Sequence, residues 1–446
     1  MKRVTHAVRQ LMHVGVAGLL LTSGQFAQAS AFQLWEQSSS GLGNMHADWA
    51  AGAYDASTAF YNPAGLMLLK PDQQVVISGT VIHTDFHFNG TVGSGVTPYV
   101  PVTTSSASAS GGVTIPFPQF YYYHRLSDHA AFAFGASVPF GLKTDWGLES
   151  SLRYSATETS MKTYNVGPSM AFQINNKLSV GLGFDAQYMD AKFAQVLRVP
   201  AAAPQPEGLS SNEGSDWAFG YHAGIMYQLL PSTRLGLSYR SQIVHHLTGT
   251  SKYEPLDNRP GSLHPSSTDQ VTTNFTAPPS VSFGFDSQLN RQWELLGTAT
   301  YTKWDVFKDV TLHNVDIGSE SGQLLPEVVI NENYQNTWHF SLGANYFLNN
   351  RWTLRGGVGY DETPTHGTFR DIRLPDENRF ELAVGARYRA SRNVVIDAGY
   401  ARIMPRNSEI NNTQNTPVGP TNNVVTVIGT ATGHADVFGL QLTWNI

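Results

Sequence analysis

The sequence predicts an all-β chain: about fourteen antiparallel strands closed into a transmembrane β-barrel, with a small N-terminal hatch (a plug) inside the lumen. Three observations carry that prediction. The chain opens on a secretion-type leader. Its body is a long series of alternating segments, rich in aromatics and poor in charge. No later stretch approaches the roughly 18 uninterrupted apolar residues of a membrane-spanning helix. Only 14% of the 446 residues are charged and 11% are aromatic, against roughly 25% charged in soluble domains. Lipid offers no partner to an unpaired backbone group, so only helices and closed barrels cross it. Without an apolar helix, the home left for such a chain is the outer membrane of a Gram-negative bacterium.

Residues 1–29 read as a signal peptide. Lys2, Arg3 and Arg9 form a basic head, Leu11 to Thr22 is mostly apolar, and Ala27-Gln28-Ala29 fits a small-residue cleavage site. Cleavage after Ala29 gives a mature chain starting at Ser30. It removes three basic residues and no acidic ones, leaving 25 against 34 and a net charge of −9. That balance argues against nucleic acid as a partner. The chain has no cysteine, so a disulfide framework, a thiolate metal site and a Cys nucleophile are all excluded.

Residues 30–71 are set apart as the hatch, and 72–446 as the barrel. Ser38 to Leu69 is too rich in Gly, Ala and Ser to be a strand, yet it carries Trp49, Tyr54, Phe60, Tyr61, Leu66, Leu68 and Leu69. A solvated linker would not hold those residues. A compact small-residue stretch ahead of a large β-array suits a plug, where backbone approaches backbone closely.

Past the hatch, period-two alternation takes over. Leu178, Val180, Leu182, Phe184, Ala186 and Tyr188 alternate with Ser179, Gly181, Gly183, Asp185 and Gln187, and the pattern returns along the chain to Phe438–Ile446. A soluble sandwich would alternate too. Trp and Tyr at strand ends, with charge and glycine on the second face, favour the membrane. Six connections are tight and polar, around 127–128, 175–176, 231–232, 290–291, 349–350 and 391–392. Seven are long, near 90–117, 144–158, 200–215, 254–267, 313–326, 363–378 and 405–423. Their strict alternation gives fourteen strands, with short turns on the periplasmic side and long loops outside. The first long connection, rich in Gly, Ser, Thr and Val, reads as a mobile loop.

Two strands are interrupted. Pro139-Phe140-Gly141 breaks the third, and Ala277-Pro278-Pro279 breaks the eighth. Proline cannot donate to a sheet ladder and marks an edge, bulge or kink. From the residues alone, an edge, a bulge and a kink are all open at Pro139.

Phe32-Gln33-Leu34, Ser38-Ser39-Ser40-Gly41-Leu42-Gly43 and Asn62-Pro63-Ala64, in that order at the head of a porin-like chain, resemble the hatch of the FadL/TodX (OmpP1-type) family. These are outer-membrane transporters of long-chain fatty acids and other hydrophobic compounds. The resemblance implies that Phe32, Asn62, Pro63 and Ala64 belong to a hatch, and that Pro139, Phe140 and Gly141 form a kink that opens the barrel sideways. It also implies a greasy outer groove between loops. Fatty-acid transporters of the family hold the carboxylate with an Arg on strand five and a Lys before strand ten. Here Ala191-Lys192-Phe193-Ala194-Gln195 matches the strand-five motif with Gln195 in the Arg position, and Ile330 falls at the Lys position. Lys192 and Arg198 lie nearby as substitute ligand-binding residues.

Catalytic readings find little support. His83 and His87 share a strand face without a third ligand, and His245 and His246 point to opposite faces. No Ser–His–acid set or phosphate loop stands out, and nothing calls for a cofactor or a metal. By alternation Arg240, Arg355, Arg387, Asp185, Glu294 and Glu381 face inward, as a structural network or, for the arginines, as cations for a fatty-acid head. The function expected is passive outer-membrane transport of long-chain fatty acids or other hydrophobic molecules, with no enzymatic step. Its partners are those hydrophobes and the surrounding lipid and lipopolysaccharide. The alternatives are a general porin and a surface adhesin or structural barrel.

Overall fold

A computed structural model describes residues 31–198, 207–257, 264–318, 324–418 and 421–446. The signal peptide, Ser30 and the first part of the connection near 200–215 lie outside the described residues. Among the described residues, twenty-one strand segments form one antiparallel sheet. It closes where the first strand, Gln73–Thr97, pairs with the last, Thr421–Asn445, from Gln74↔Asn445 to Thr97↔Asn422. Fourteen wall strands result. Several are split in two, among them the third (Ala130–Ser137 and Gly141–Asp145) and the eighth (Ser266–Ala277 and Ser280–Gln288).

The alternation sets the faces. In the strand Leu178–Arg198, Leu182 is 59% exposed and Phe184 48%, while Asp185 and Gln187 are buried. The apolar side therefore points out, toward lipid, and the polar side points in. Aromatic pairs mark both rims. Tyr188–Trp217, Tyr301–Trp338 and Tyr400–Phe438 sit toward the loop end, and Trp293–Tyr346 and Trp352–Tyr388 toward the short turns. Such girdles are where amphipathic rings meet the headgroups.

The short turns repeat one device. The Asn175 side chain accepts from the backbone N–H of Lys177 and Leu178, Asn290 from Gln292 and Trp293, and Asn349 from Arg351 and Trp352. A short side-chain acceptor mimics a backbone turn, which is why Asn punctuates these positions.

Two long connections differ from expectation. The first is not a loop but a hairpin, in which Val100–Ser110 pairs back on the first strand from His87↔Ser110 to Val96↔Val100. The last is similar, with Ser408–Val418 paired to the final strand. Their Val and Thr residues favour extended backbone, and each hairpin finds a partner in a strand that runs past the rim.

The N-terminal segment Ala31–Leu69 is buried almost throughout and touches inward-facing residues around the wall. Ser39 bonds Ser78, the Gln119 amide donates to the Glu36 carbonyl, and Thr298 donates to Ala47 O. It folds as short helical turns at Ser39–Leu42, Thr58–Tyr61 and Pro63–Leu68. Asn62 links the last two. Its Oδ1 accepts from Ala64 N at 3.1 Å, and Pro63 takes the first helical position, where no N–H is needed.

Candidate functional site

Pairing between the second and third wall strands stops at Phe120↔Ala136. Beyond it, Val138, Pro139 and Phe140 turn to the N-terminal segment instead. Leu34 N donates to Pro139 O at 2.9 Å, Gly141 N to Phe32 O at 2.8 Å, and the Gln37 side chain bonds both backbone groups of Val138. The third strand keeps its other neighbour, from Gly141↔Lys162 to Asp145↔Glu158. The wall is thus interrupted on one side only. Pro139 lacks the N–H a continuing ladder would use, and the N-terminal segment lies against the break.

Phe32 stands at the inner side of that break. Its ring meets Phe140, Phe275, Trp304, Phe307 and Tyr334, with centroids 4.6 to 6.2 Å apart. Above it lies a cavity of about 380 Å³, bounded by Phe193, Leu197, Leu312, Leu325, Val328 and Ile330 with a polar side from the last two outer connections. That volume is in the range of small-molecule sites. A narrower cavity of about 30 Å³ lies against Phe32, Leu142, Met161 and Tyr334. The two share Phe193 and Arg373.

The residues singled out from the sequence separate here. Gln195 and Ile330 both line the larger cavity. Lys192 lies in another group, paired with Glu158 at 3.0 Å and Glu213 at 3.2 Å. Arg198 bonds Glu207, Tyr154 and Ser94 near the outer rim. The cation in the cavity lining is Arg373, in the connection near 363–378, which sequence reasoning missed. Its Nη2 donates to Gln195 Oε1 at 2.6 Å and its Nη1 lies 3.0 Å from Asp371 Oδ2. Thr144 donates to the Arg373 carbonyl and the Trp146 indole to that of Ile372, so residues just after the wall break hold this connection. Glu332 lies on the narrower cavity, where burial and the charge of Asp371 push its carboxyl well up, opposed by Arg373.

Asn62 and its neighbours sit at the opposite part of the lumen from this cavity lining. The Asn62 amide donates to Ala50 O, and to Ile225 O and Leu237 O of the wall. Opposite lie Gly224 and Gly181. A Cβ on the first would overlap Asn62 Oδ1, and on the second Ala64 N. The close approach is what requires glycine there.

The inward charges read from alternation are buried or half-buried, and they tie segment to wall. Arg387 and Arg355 converge on Asp397, and Arg387 reaches Asp55 at 3.4 Å. Arg240 joins Asp185 and the Phe60 carbonyl, each at 2.8 Å, and Glu294 accepts from Tyr54 at 2.7 Å. Glu381 pairs with His339. One cluster has the outline of a hydrolytic triad: Ser169 Oγ is 3.1 Å from His222 Nε2, and His222 Nδ1 is 2.8 Å from Asp185. But Nε2 also faces the Ala59 carbonyl at 2.9 Å. Both ring nitrogens thus face acceptors, the Asp185 carboxylate and the Ala59 carbonyl. The cluster ties the N-terminal segment to the wall.

A closed antiparallel barrel with an apolar outer face and aromatic rims is an outer-membrane protein. Residues 20–445 match the family described as "Outer membrane protein transport protein (OMPP1/FadL/TodX)", and the chain belongs to it. It is 28% identical over 420 residues to the long-chain fatty acid transport protein of Escherichia coli (strain K12), covering 86% of this chain and 90% of the relative. Among solved structures it superimposes on a Pseudomonas aeruginosa FadL homologue with a TM-score of 0.80 at 24% identity, covering 93% and 99% of the two chains. It also superimposes on the Pseudomonas putida toluene transporter TodX with a TM-score of 0.67 at 16% identity, covering 94% and 100%. The two structural likenesses speak for the fold. The chain is therefore placed in the outer membrane of Gram-negative bacteria, among transport proteins.

Proposed function

We propose that this chain carries long-chain fatty acids or other hydrophobic molecules passively across the outer membrane. The barrel is plugged by the N-terminal hatch, and the solute leaves sideways into lipid through the break at Pro139, Phe140 and Gly141. One observation carries the reading: the narrow, mainly apolar cavity that adjoins the larger one is lined by Phe32, and the backbone of that residue is bonded to the broken strand. The E. coli relative is named for long-chain fatty acids and the P. putida neighbour for toluene, both hydrophobes. A greasy cavity favours such solutes by about 0.8 kcal/mol for each methylene buried. Flow down a gradient needs no energy source. A sideways exit spares the solute a passage through water.

Gln33 and Phe140 face each other across an antiparallel bridge. The hydrogen bonds lie on either side of that pair, which places it among the close, non-bonded pairs whose geometry accepts a disulfide. The chain has no cysteine of its own. Gln33→Cys with Phe140→Cys, oxidised, should stop uptake of a labelled long-chain acid or alcohol by whole cells. Reduction should restore it, and neither single variant should respond to oxidant. Full uptake by the cross-linked protein would rule out this route. Steady ion conductance through single molecules in a planar bilayer would favour an open porin, against which the buried segment Ala31–Leu69 stands.

A further inference from the structure

Arg373 is the only cationic side chain, among the described residues, that lines either cavity. It is 3% exposed. Two of its three nitrogens are engaged, Nη1 with Asp371 and Nη2 with Gln195, but Nε is buried without a partner. An unpaired buried donor is costly, and more so on a charged group. Across the larger cavity's lining, Asn412 donates to the Thr368 carbonyl, which leaves its buried Oδ1 without a partner as well. Among the residues of that lining are thus one charge-assisted donor and one neutral acceptor that no protein group uses.

The surrounding charge decides what can use them. Asp371 already neutralises Arg373 and is held by the Arg373 backbone N–H at 2.7 Å and by Gln414 at 2.9 Å. Glu332 adds a second buried carboxyl on the adjoining cavity. A ligand carboxylate would be a further acid around one guanidinium, and the unpaired Asn412 oxygen in the same lining could not donate to it. A neutral oxygen meets no such repulsion. A hydroxyl, unlike a carboxylate, can also donate.

We infer that this pocket selects hydrophobes bearing a neutral oxygen head, an alcohol or an undissociated acid, and that Arg373 Nε–H anchors that head while Asp371 turns away the free carboxylate. The inference rests on the transport reading above and specifies its ligand. Gln195 then has a positioning part: its Oε1 holds the guanidinium in the cavity lining.

The test is competition for a bound fluorescent long-chain probe, on the mature protein in nanodiscs at about pH 7.5, by hexadecanol, hexadecanoate and hexadecane. Hexadecanol should compete about tenfold better than the other two, the value of one hydrogen bond to a charged group. Arg373→Met should remove the alcohol's advantage over the alkane. Asp371→Asn should raise hexadecanoate affinity by about tenfold, a gain that misfolding cannot imitate. In the wild type, hexadecanoate should bind more tightly as the pH falls and the head takes up its proton. Tighter binding of hexadecanoate than of hexadecanol by the wild type overturns the inference, as does an Asp371→Asn protein that gains nothing for the anion. In both cases the transport reading stands, because a hydrophobe is bound. If no long-chain compound displaces the probe and whole cells take none up, the transport reading itself fails.

Discussion

Asn62 shows how much one side chain can settle at the scale of the residue. Its amide bonds three carbonyls, one in its own segment and two on the wall, and its oxygen starts the helical turn Pro63–Leu68. No apolar residue supplies both a donor and an acceptor. Asn62→Leu with Pro63→Leu should therefore undock the segment and impair uptake while the barrel still assembles. Normal uptake by that double variant would strip Asn62-Pro63-Ala64 of its functional meaning. Glu36 gives a second prediction. Its carboxyl oxygens are buried without partners, and burial pushes it up to about 7, with Glu381 adding to the shift and Arg379 and His339 opposing it. An acid whose docked value is raised costs nothing while protonated in both states. The cost grows as pH rises from the ordinary value of 4.5 and levels off above about 7. Glu36→Gln keeps the shape and removes that cost. Hydrogen exchange of residues 32–46 should thus be slower in the variant than in the wild type at pH 8, and alike at pH 4. A constant difference across that range would show that Glu36 is not titrating there.

At the scale of the element, the third wall strand is organised by what it lacks. Proline at 139 removes a donor, pairing with the second strand ends at Ala136, and the hatch backbone takes over the exposed groups. The strand resumes at Gly141, and Thr144 and Trp146 then hold the connection that carries Arg373. Break and cavity are thus joined by a single strand. Pro139→Thr with Gly141→Val should let the ladder continue and slow uptake, without weakening hydrophobe binding in the outer cavity. Undiminished uptake by a well-folded variant would return the stretch to the rank of a plain bulge. The interruption was legible from proline and glycine within an apolar strand. That it opens toward one neighbour and meets Phe32 was not, because pairing is a relation between segments far apart in the chain.

At the scale of the molecule, the barrel inverts the pattern of a soluble protein. Leu182, Phe219, Val384 and Leu440 are each more than half exposed, while the lumen holds the ion pairs. In lipid that exterior is the stable one. Leu182 lies between the tight turn at Asn175 and the rim pair Tyr188–Trp217, near mid-wall. Leu182→Arg should therefore cost about 2–4 kcal/mol, the midplane value for such barrels, read from urea unfolding in lipid vesicles. The same change at Tyr188, nearer the rim, should cost about 0–1 kcal/mol. Equal costs would place the membrane at a different height on the wall.

Period-two alternation, the rhythm of short and long connections, and the scarcity of charge were enough to determine the barrel, its strand count and its outward apolar face. The reason is local: within a strand the face of a residue follows from its parity alone. The same rule turned Arg240, Arg355, Arg387, Asp185, Glu294 and Glu381 inward before any contact was known. Gln195 was singled out by the family resemblance instead, and it lines the cavity. Arg373 escaped both. That residue lies 178 positions from the Gln195 it bonds, in a connection with no periodicity to assign its direction. Lys192 and Arg198, closer in sequence, were claimed by Glu158, Glu213 and Glu207. Which cation reaches the cavity was decided by the tertiary structure, because a loop side chain takes its direction from the elements that hold the loop, and here those are Thr144 and Trp146 beyond the broken strand.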